Sequence, residues 1–130
     1  MGWASERQVI ENIISTGWIS TPVAWDNVPL DPPPESNWIR VNILDGDAQR
    51  ITLNQRYHRF TGIVLISVFT IVGQGSNAAR NNADTIAALF RDLQISGILF
   101  RSPTITNVGI SGAYYQINLS VPFQRDELFS

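Results

Sequence analysis

The feature that most constrains this fold is an apolar run at residues 60–72, FTGIVLISVFTIV. The two-residue period of a β-strand divides its large apolar side chains between two faces. One face holds Phe60, Val64, Ile66, Val68 and Val72, and the opposite face holds Ile63, Leu65, Phe69 and Ile71. A strand that is apolar on both faces needs cover on both sides. The chain offers only two helices of useful length, so another subunit is the candidate for the second cover.

Those two helices are predicted from amphipathic spacing. In the first, Ser5 followed by Gln8 has the spacing of a capping box, and Gly17 supplies a stop. Its apolar positions are Val9, Ile10, Ile13 and Ile14. The second is predicted to begin at Ser76 or Asn77, both good N-caps. It extends through an apolar stripe made of Ala79, Ala83, Ile86, Ala87, Phe90 and Leu93.

Several shorter strands are predicted before the long one. Residues 22–28 are expected to form a brief strand, and the proline-rich PLDPPPES that follows is interpreted as a structural spacer. From Trp38 the chain alternates, with Ile39, Val41 and Ile43 on one side. This pattern predicts a strand that turns at Asp-Gly-Asp, residues 45–47. Residues 48–54 are then expected to form the second strand of a hairpin.

The C-terminal third of the sequence is predicted to form further strands. Residues 98–101 are predicted to form a short strand, followed by a looser segment through Gly112, and residues 113–123 alternate cleanly. Pro122 cannot donate a backbone hydrogen bond, so it is expected to mark the end of this strand or an unpaired edge. The order of elements predicts a single α+β domain over residues 1–130. Its sheet is mainly antiparallel, and two principal helices pack on one face.

A glycine motif separates the long strand from the second helix. Gly73, Gly75 and Ala78 match the G-x-G-x-x-G/A spacing of a dinucleotide-binding turn. Such a site also needs an acidic residue about 20 residues further on, but that region, QISGILFRSP, offers Arg101 and no acid. We therefore interpret Gly73 and Gly75 as structural turn residues, and we expect replacement of Gly75 to damage folding or assembly. No cofactor is predicted.

The residues of common active sites are missing or dispersed. The sequence has no cysteine and no lysine, which excludes thiolate chemistry and a P-loop. His58 is the only histidine, which is too few for the common zinc sites, and no G-x-S-x-G elbow is present. Asp45 with Asp47 and Asp126 with Glu127 fall in a predicted turn and tail, where solvation accounts for them. No catalytic residue or metal site is predicted, and we do not expect an enzyme.

Composition narrows the classes of partner. Nine basic against 11 acidic residues give a net charge of −2, so there is no basic surplus to neutralise a nucleic-acid backbone. The longest apolar stretch, residues 63–72, falls short of the roughly 18 residues of a membrane helix, and the N-terminus lacks a signal-peptide pattern. We expect synthesis in the cytosol and no membrane contact. The charged fraction of 15% is below the roughly 25% of typical soluble domains, as expected if partners cover some surface.

One polar cluster is a candidate interface. Arg50, Arg56, Tyr57 and Arg59 place three guanidinium groups and an aromatic ring around one hairpin region, which is the composition of interface anchors. A solvated polar loop is the alternative interpretation. We predict that Arg56→Glu combined with Arg59→Glu impairs assembly and leaves the fold intact. The four tryptophans, which either complete a core or bury against a neighbour, are Trp3, Trp18, Trp25 and Trp38.

The succession of these segments resembles the tail terminator proteins of long-tailed bacteriophages. The resemblance rests on VAWDN before a proline-rich connector, WIRVNIL, YHRFTGIVLISVFTIVGQGSNAA, ADTIAALF and YYQINLSVPF, in that order. It spans about residues 5–126. Each segment is a diffuse hydrophobic pattern with one or two glycines or aromatics, so no polar contact can be transferred residue by residue.

The resemblance implies a ring-forming subunit, typically a hexamer, at the head-proximal end of the tail tube. Such a ring stops tube polymerisation and offers a surface for head joining, so its partners are further copies of itself, the major tail tube protein and the head-tail connector. The expected location is the virion tail, with assembly in the host cytoplasm. Two alternatives remain open: another phage head-tail joining protein, and a small-ligand-binding α+β domain or enzyme with a preformed polar pocket.

Overall fold

The computed structural model describes residues 2–18, 21–25, 37–51, 56–73, 76–112 and 114–129. Two helices and seven strands follow one another along these residues. They are α1 (Trp3–Gly17), β1 (Val23–Ala24), β2 (Trp38–Arg50), β3 (Arg56–Ile71), α2 (Ser76–Phe90), β4 (Gln94–Ile95), β5 (Ile98–Phe100), β6 (Thr104–Ser111) and β7 (Tyr114–Phe129). The expected α+β class with a mainly antiparallel sheet is confirmed.

The strands form one sheet in the order β1-β2-β3-β7-β5-β4, with β6 also paired to β7. Only β1 and β2 run parallel; the other pairs are antiparallel. β7 is the central strand, because β3 pairs with it from Tyr114 to Phe129 on one side. On its other side β7 pairs first with β6 and then with β5. The longest ladders of the fold therefore meet at β3 and β7.

Both helices pack on the same face of this sheet. Ile10 and Ile14 of α1 lie in one core with Ile86 and Phe90 of α2, and all four are fully buried. The sheet contributes alternate positions of four strands to this core: Ile39, Val41, Val64, Ile66, Val68, Ile98, Phe100, Ile117, Leu119, Val121 and Phe123. Burial of each such large apolar side chain stabilises the fold by roughly 1.5–3 kcal/mol. The division of residues 60–71 between two faces is as the alternation predicts.

α1 begins earlier than the capping-box spacing predicts. The helix starts at Trp3 with Gly2 as its N-cap, so Ser5 lies inside the first turn and the predicted Ser5 cap is wrong. Tertiary packing accounts for the earlier start, because Glu6 lies on the buried stripe of the helix together with Ile10 and Ile14. The predicted end at Gly17 is confirmed. A Cβ at Gly17 would stand 2.5 Å from a methyl carbon of Leu89, so the glycine lets α1 approach α2 closely.

The second helix carries the predicted stripe but ends early. Ala79, Ala83, Ile86, Ala87 and Phe90 are all buried. α2 stops at Phe90 rather than near Leu93, because Asp92 adopts a left-handed φ of 56° that the helix cannot continue through. Leu93 still packs against the core from the turn that follows.

The predicted turn at residues 45–47 is wrong. β2 runs on from Trp38 to Arg50, and the pairing with β3 only shifts by a bulge between Asp45 and Ala48. Thr61 of β3 holds this bulge, because its hydroxyl oxygen accepts a hydrogen bond from the Asp47 backbone N–H at 3.1 Å. Hydrogen bonding of β2 to the long neighbouring strand β3 therefore overrides the local turn signal, and residues 48–50 continue β2. The remainder of the predicted second strand, residues 52–54, lies outside the described residues.

The C-terminal strands are longer than predicted. The segment expected to be looser forms β6, and β7 continues past residue 123 to Phe129, so Asp126 and Glu127 are in a strand rather than a tail. Pro122 lies inside β7 opposite Ile63, not at its end. It falls between Ser120, the last residue paired to β6, and Phe123, the first paired to β5. At that gap a missing N–H costs no ladder hydrogen bond.

Candidate assembly surface

The four residues of the predicted interface lie at one end of the β2–β3 pair. Arg50 ends β2 opposite His58, whereas Gln49 is the residue opposite Arg59. Side chains that face each other in an antiparallel pair share a face of the sheet, so Arg50 and Arg59 lie on opposite faces. Tyr57 shares the face of Arg59. The structure therefore brings the four positions to one edge of the molecule but not to one surface.

Two residues of the sequence predictions, Arg56 and Gly75, lie partly or wholly outside the described part of the chain. Arg56 is the first residue of β3, where its backbone pairs with Phe129, and its side chain lies outside the described part of the chain. Gly75, predicted as a structural turn, also lies outside the described residues. Gly73, the second residue after the end of β3, has a φ of 102°, which is a conformation that favours glycine.

Arg59 forms a two-pronged ion pair across the sheet. Its Nε donates to Oδ1 of Asp126 at 2.9 Å and its Nη2 donates to Oδ2 at 3.0 Å. The hydrogen bond from this guanidinium holds the pKa of Asp126 below its usual value. Because Arg59 is 40% exposed, the pair remains on the protein surface and its strength is reduced by solvent. The paired groups form a fixed polar feature on this surface.

Arg59 lies on the face of the sheet opposite the helices, and this face carries an aromatic cluster of Trp38, Phe69 and Tyr114. The rings of Trp38 and Phe69 stack with centroids 4.2 Å apart, and Tyr114 meets Phe69 edge-on at 6.1 Å. The guanidinium of Arg40 lies 5.3 Å from the centre of the Phe69 ring. Aromatic rings with arginine are enriched at protein–protein interfaces.

Further along the same face, apolar side chains remain exposed. Leu44 and Ile63 are opposite each other in the β2–β3 pair. Leu44 is 49% exposed and Ile63 is 39% exposed. The helices pack on the other side of β3, so part of its second apolar face is left uncovered by the described residues. This is the surface that the doubly apolar sequence of β3 predicts for a partner.

A buried charge cluster, made of Glu6, Arg125 and Glu127, ties α1 to β7. The Arg125 side chain is 2% exposed, and its guanidinium lies 3.1 Å from a Glu127 carboxylate oxygen and 3.7 Å from one of Glu6. It also stands 4.3 Å from the centre of the Phe60 ring. Burial raises the pKa of Glu6, and the charge of Arg125 opposes that rise. The burial and geometry of these side chains are those of an ion-pair cluster that holds α1 against β7.

The sequence prediction missed this cluster and the partner of Arg59. The signal was present for Arg125, since it continues the odd-numbered alternation of Ile117 to Phe123 that points into the core. For Asp126 the signal is weaker, because the alternation predicts that β7 ends at residue 123, which puts the carboxylate in a tail. A prediction that β7 continues beyond residue 123 would have placed both Arg125 and Asp126 in the strand.

A shallow apolar groove lies on the helical side, between the ends of α1 and α2. It has a volume of about 440 Å³. Its lining consists of Val9, Asn12, Ile13, Thr16, Gly17, Leu89, Leu93, Ile95 and Ser96. No charged side chain is among these residues, so the groove lacks the charged groups that many small-ligand sites use to fix orientation.

Two further properties concern metals and membranes. Over the described ranges, no three His, Asp or Glu side chains gather in a way that could hold a metal ion. Neither described helix has the length and apolar character needed to cross a bilayer.

Comparison with known proteins identifies the class of this chain. Residues 7–123 match a family model described as phage tail terminator protein. The chain is therefore a structural protein of a bacteriophage tail. More particularly, it belongs to the phage tail terminator family, as the order of its segments indicated.

Two other comparisons add less. A search of curated protein sequences found no match. One solved structure aligns with a TM-score of 0.67 at 18% identity, over 95% of this chain and 97% of that one. At that identity the likeness supports the fold alone.

Proposed function

We propose that the protein caps the head-proximal end of a phage tail tube as a ring of identical subunits. The ring ends polymerisation of the tube and offers its outer surface to the head connector. The observation that carries this proposal is membership of the terminator family over residues 7–123. Support comes from the uncovered sheet face, where Trp38 and Phe69 stack and Leu44 and Ile63 stay exposed.

The proposed partners follow from the function. Further copies of the chain form the ring, and we expect a hexamer. The major tail tube protein binds one side of the ring, and the head-tail connector binds the other side. A heterologous contact repeated about an axis closes into a ring without leaving a free end. The sheet face and the sheet edges supply surfaces on different sides of the subunit, as such a contact requires.

Tube growth in the presence of the purified protein tests the proposal. Major tail protein is polymerised with and without the chain, and tube lengths are measured by electron microscopy. We expect tubes of restricted length with a ring at one end. Unaltered tube lengths, together with a strictly monomeric chain over a wide concentration range in light scattering, would contradict the proposal.

A control separates this function from that of another head-tail joining protein. Labelled protein is added to isolated tail tubes and, in parallel, to tailless heads. A terminator binds the tube end in the absence of heads. Binding to heads alone would favour a different joining protein, and thermal stabilisation by a nucleotide would favour the ligand-binding alternative.

A further inference from the structure

Three large apolar side chains of β6 are exposed to solvent. Ile105 is 43% exposed, Val108 is 49% exposed and Ile110 is 71% exposed, the highest value for a large apolar side chain among the described residues. Ile105 and Ile110 are opposite Leu119 and Tyr115 of β7, so both lie on the face of the sheet that carries the helices. Their exposure shows that α1 and α2 leave this part of the face uncovered. We call these three side chains the β6 surface.

The β6 surface lies in the longest uncharged segment of the sequence. The nine basic and 11 acidic residues all lie outside residues 102–124. The centres of protein–protein interfaces are depleted in charged residues, and burial of an uncharged surface removes no ion from water. We therefore expect the partner of the β6 surface to be apolar and uncharged as well.

The apolar groove between α1 and α2 has those properties. Val9 and Ile13 of α1 and Leu89 of α2 line it, and Leu93 and Ile95 complete it from the segment that follows α2. Its volume is about 440 Å³. None of the described residues that line the groove is charged, and Ile95 is 41% exposed, so apolar surface in the groove is open to solvent. A concave, uncharged apolar surface therefore matches a protruding, uncharged one.

We propose that the β6 surface of one subunit packs into the groove between α1 and α2 of a second copy of this chain. The inference rests on the proposed ring and names the two surfaces through which neighbouring subunits meet. Each subunit offers one protruding and one concave surface, so every copy binds two neighbours. The driving force is the removal of both apolar surfaces from water.

The two surfaces lie towards opposite ends of the subunit. The Phe100 backbone N–H donates to the backbone oxygen of Leu93 at 3.0 Å, and Phe100 is opposite Phe123 of β7. Ile110, in contrast, is opposite Tyr115. Tyr115 and Phe123 are eight residues apart on β7, which is roughly 27 Å along an extended strand. The β6 surface and the groove of one chain are therefore too far apart to meet, and their contact joins two copies head to tail, as a ring requires.

Charge disfavours another occupant of the groove from this chain. Leu44 and Ile63 are also exposed, but they line one cavity together with Asp45 and Asp47. Packing them into the groove would bring these carboxylates against side chains that offer no cation, and an unpaired charge is costly to bury. Two β6 surfaces packed about a two-fold axis would give a closed dimer and leave both grooves uncovered.

Cysteine crosslinking tests this contact, because the sequence contains no cysteine. Ile110→Cys is combined with Thr16→Cys, at an exposed residue of the groove lining. The assembled protein, in solution or on tail tubes, is treated with a short bismaleimide, and we expect a ladder of covalent multimers. The matched control, Ile110→Cys with Ala4→Cys at an exposed position of α1 roughly 18 Å from Thr16, should give no ladder. Efficient dimers from Ile110→Cys alone would indicate packing of two β6 surfaces and overturn the proposal.

Opposite charges across the contact provide an independent test. Ile110→Lys and Ile95→Glu each place a charge in the contact, so each alone should weaken self-association about tenfold or more in sedimentation measurements. Combined in one chain, they put opposite charges at every contact and should restore much of the association. Ile110→Lys with Ile95→Lys is the matched control and should not recover. Both side chains are exposed, so circular dichroism and melting temperature should stay unchanged in all four variants.

The outcomes separate this contact from the proposed function. An oligomer that gives no crosslinked ladder and is weakened by neither single charge refutes the contact but leaves the proposed function standing. Two weakened single variants whose Lys–Glu combination does not recover would assign the β6 surface and the groove to separate contacts, which also overturns the proposal. Wild-type protein that stays monomeric even on tail tubes refutes both the contact and the function.

Discussion

Arg59 and Asp126 are 67 residues apart in the chain and meet as directly opposed residues of β3 and β7, joined by two hydrogen bonds of 2.9 and 3.0 Å. The pair combines a residue expected at an interface with one expected in a solvated tail. Its position means that substitutions of Arg59 act on the sheet as well as on any partner.

The pH dependence of stability should reveal this pair. Because the pKa of Asp126 is lowered in the folded protein, its contribution is present above the unfolded pKa of about 3.9 and is lost as the pH falls through the folded pKa. Asp126→Asn should therefore lose less stability than the wild type on acidification below about pH 4. Urea unfolding midpoints at neutral and acidic pH measure the difference, which is modest because solvent screens the pair. Identical acid dependence of the two proteins contradicts the assignment.

A charge exchange separates the structural role of Arg59 from its predicted role in assembly. Arg59→Glu places a second carboxylate opposite Asp126, so the melting temperature should fall. The double variant Arg59→Asp with Asp126→Arg keeps opposite charges in place and should melt close to the wild type. If the partner recognises Arg59, the exchanged protein folds normally but caps tubes about tenfold less efficiently. Normal capping by the exchanged variant would remove Arg59 from the interface.

Removal of Arg125 should be strongly destabilising. Its side chain is 2% exposed, lies between two carboxylates and stacks over Phe60. Arg125→Ala removes the cation beside the buried Glu6 carboxyl and deletes packing, which costs about 3–5 kcal/mol of unfolding free energy. Arg101→Ala, at an exposed arginine, is the control and should change stability by less than about 0.5 kcal/mol. Similar losses for the two variants would show that burial of Arg125 does not matter.

Glu6 should give a pH dependence of the opposite sign. Burial raises the pKa of Glu6 in the folded protein, so the folded state holds its proton more tightly than the unfolded state. Stability then falls as the pH rises from about 4.3, the unfolded value, through the raised folded pKa. Glu6→Gln keeps the shape without the charge and should flatten this fall. Chemical unfolding across that pH range checks the slope, and an unaltered slope in Glu6→Gln argues against the raised pKa.

Gly62 should tolerate no larger residue. A Cβ at this position would lie 2.6 Å from Cζ of Phe123 and 2.9 Å from the backbone oxygen of Leu44. Gly62→Ala should therefore cost about 1–3 kcal/mol through overpacking. Adding Phe123→Leu relieves the clash with the ring but not that with the backbone, so we expect partial recovery of the melting temperature. Full stability of the single variant would contradict this close approach.

Much of the fold was predictable because its signals are local and periodic. The alternation in residues 60–71 and the stripe of α2 each place a row of side chains in the core, and the structure buries them as expected. These patterns reflect burial on one side of a regular element, which a single sequence records directly.

The errors in the sheet have a common cause, which is pairing between distant strands. The Asp45-Gly46-Asp47 turn signal yields to a bulge held by Thr61. Pro122 is accommodated where β7 exchanges one neighbour for another. The partners of Arg59 and Arg125 come from residues far away in sequence, so neither the ion pair nor the buried cluster could be read from spacing alone. Whether Arg50, Arg56, Tyr57 and Arg59 bind a partner stays a prediction.

The central position of β7 also affects when this protein can fold. β3 must wait for residues 114–129 before it gains its second neighbour, and Glu6 in the first helix meets Arg125 only once that strand exists. During synthesis on the ribosome, the early segments therefore emerge with their apolar faces exposed until nearly all of the sheet has been translated. Contacts of such long sequence separation slow folding. A chain stalled before β7 would keep these faces exposed and is expected to be bound by chaperones.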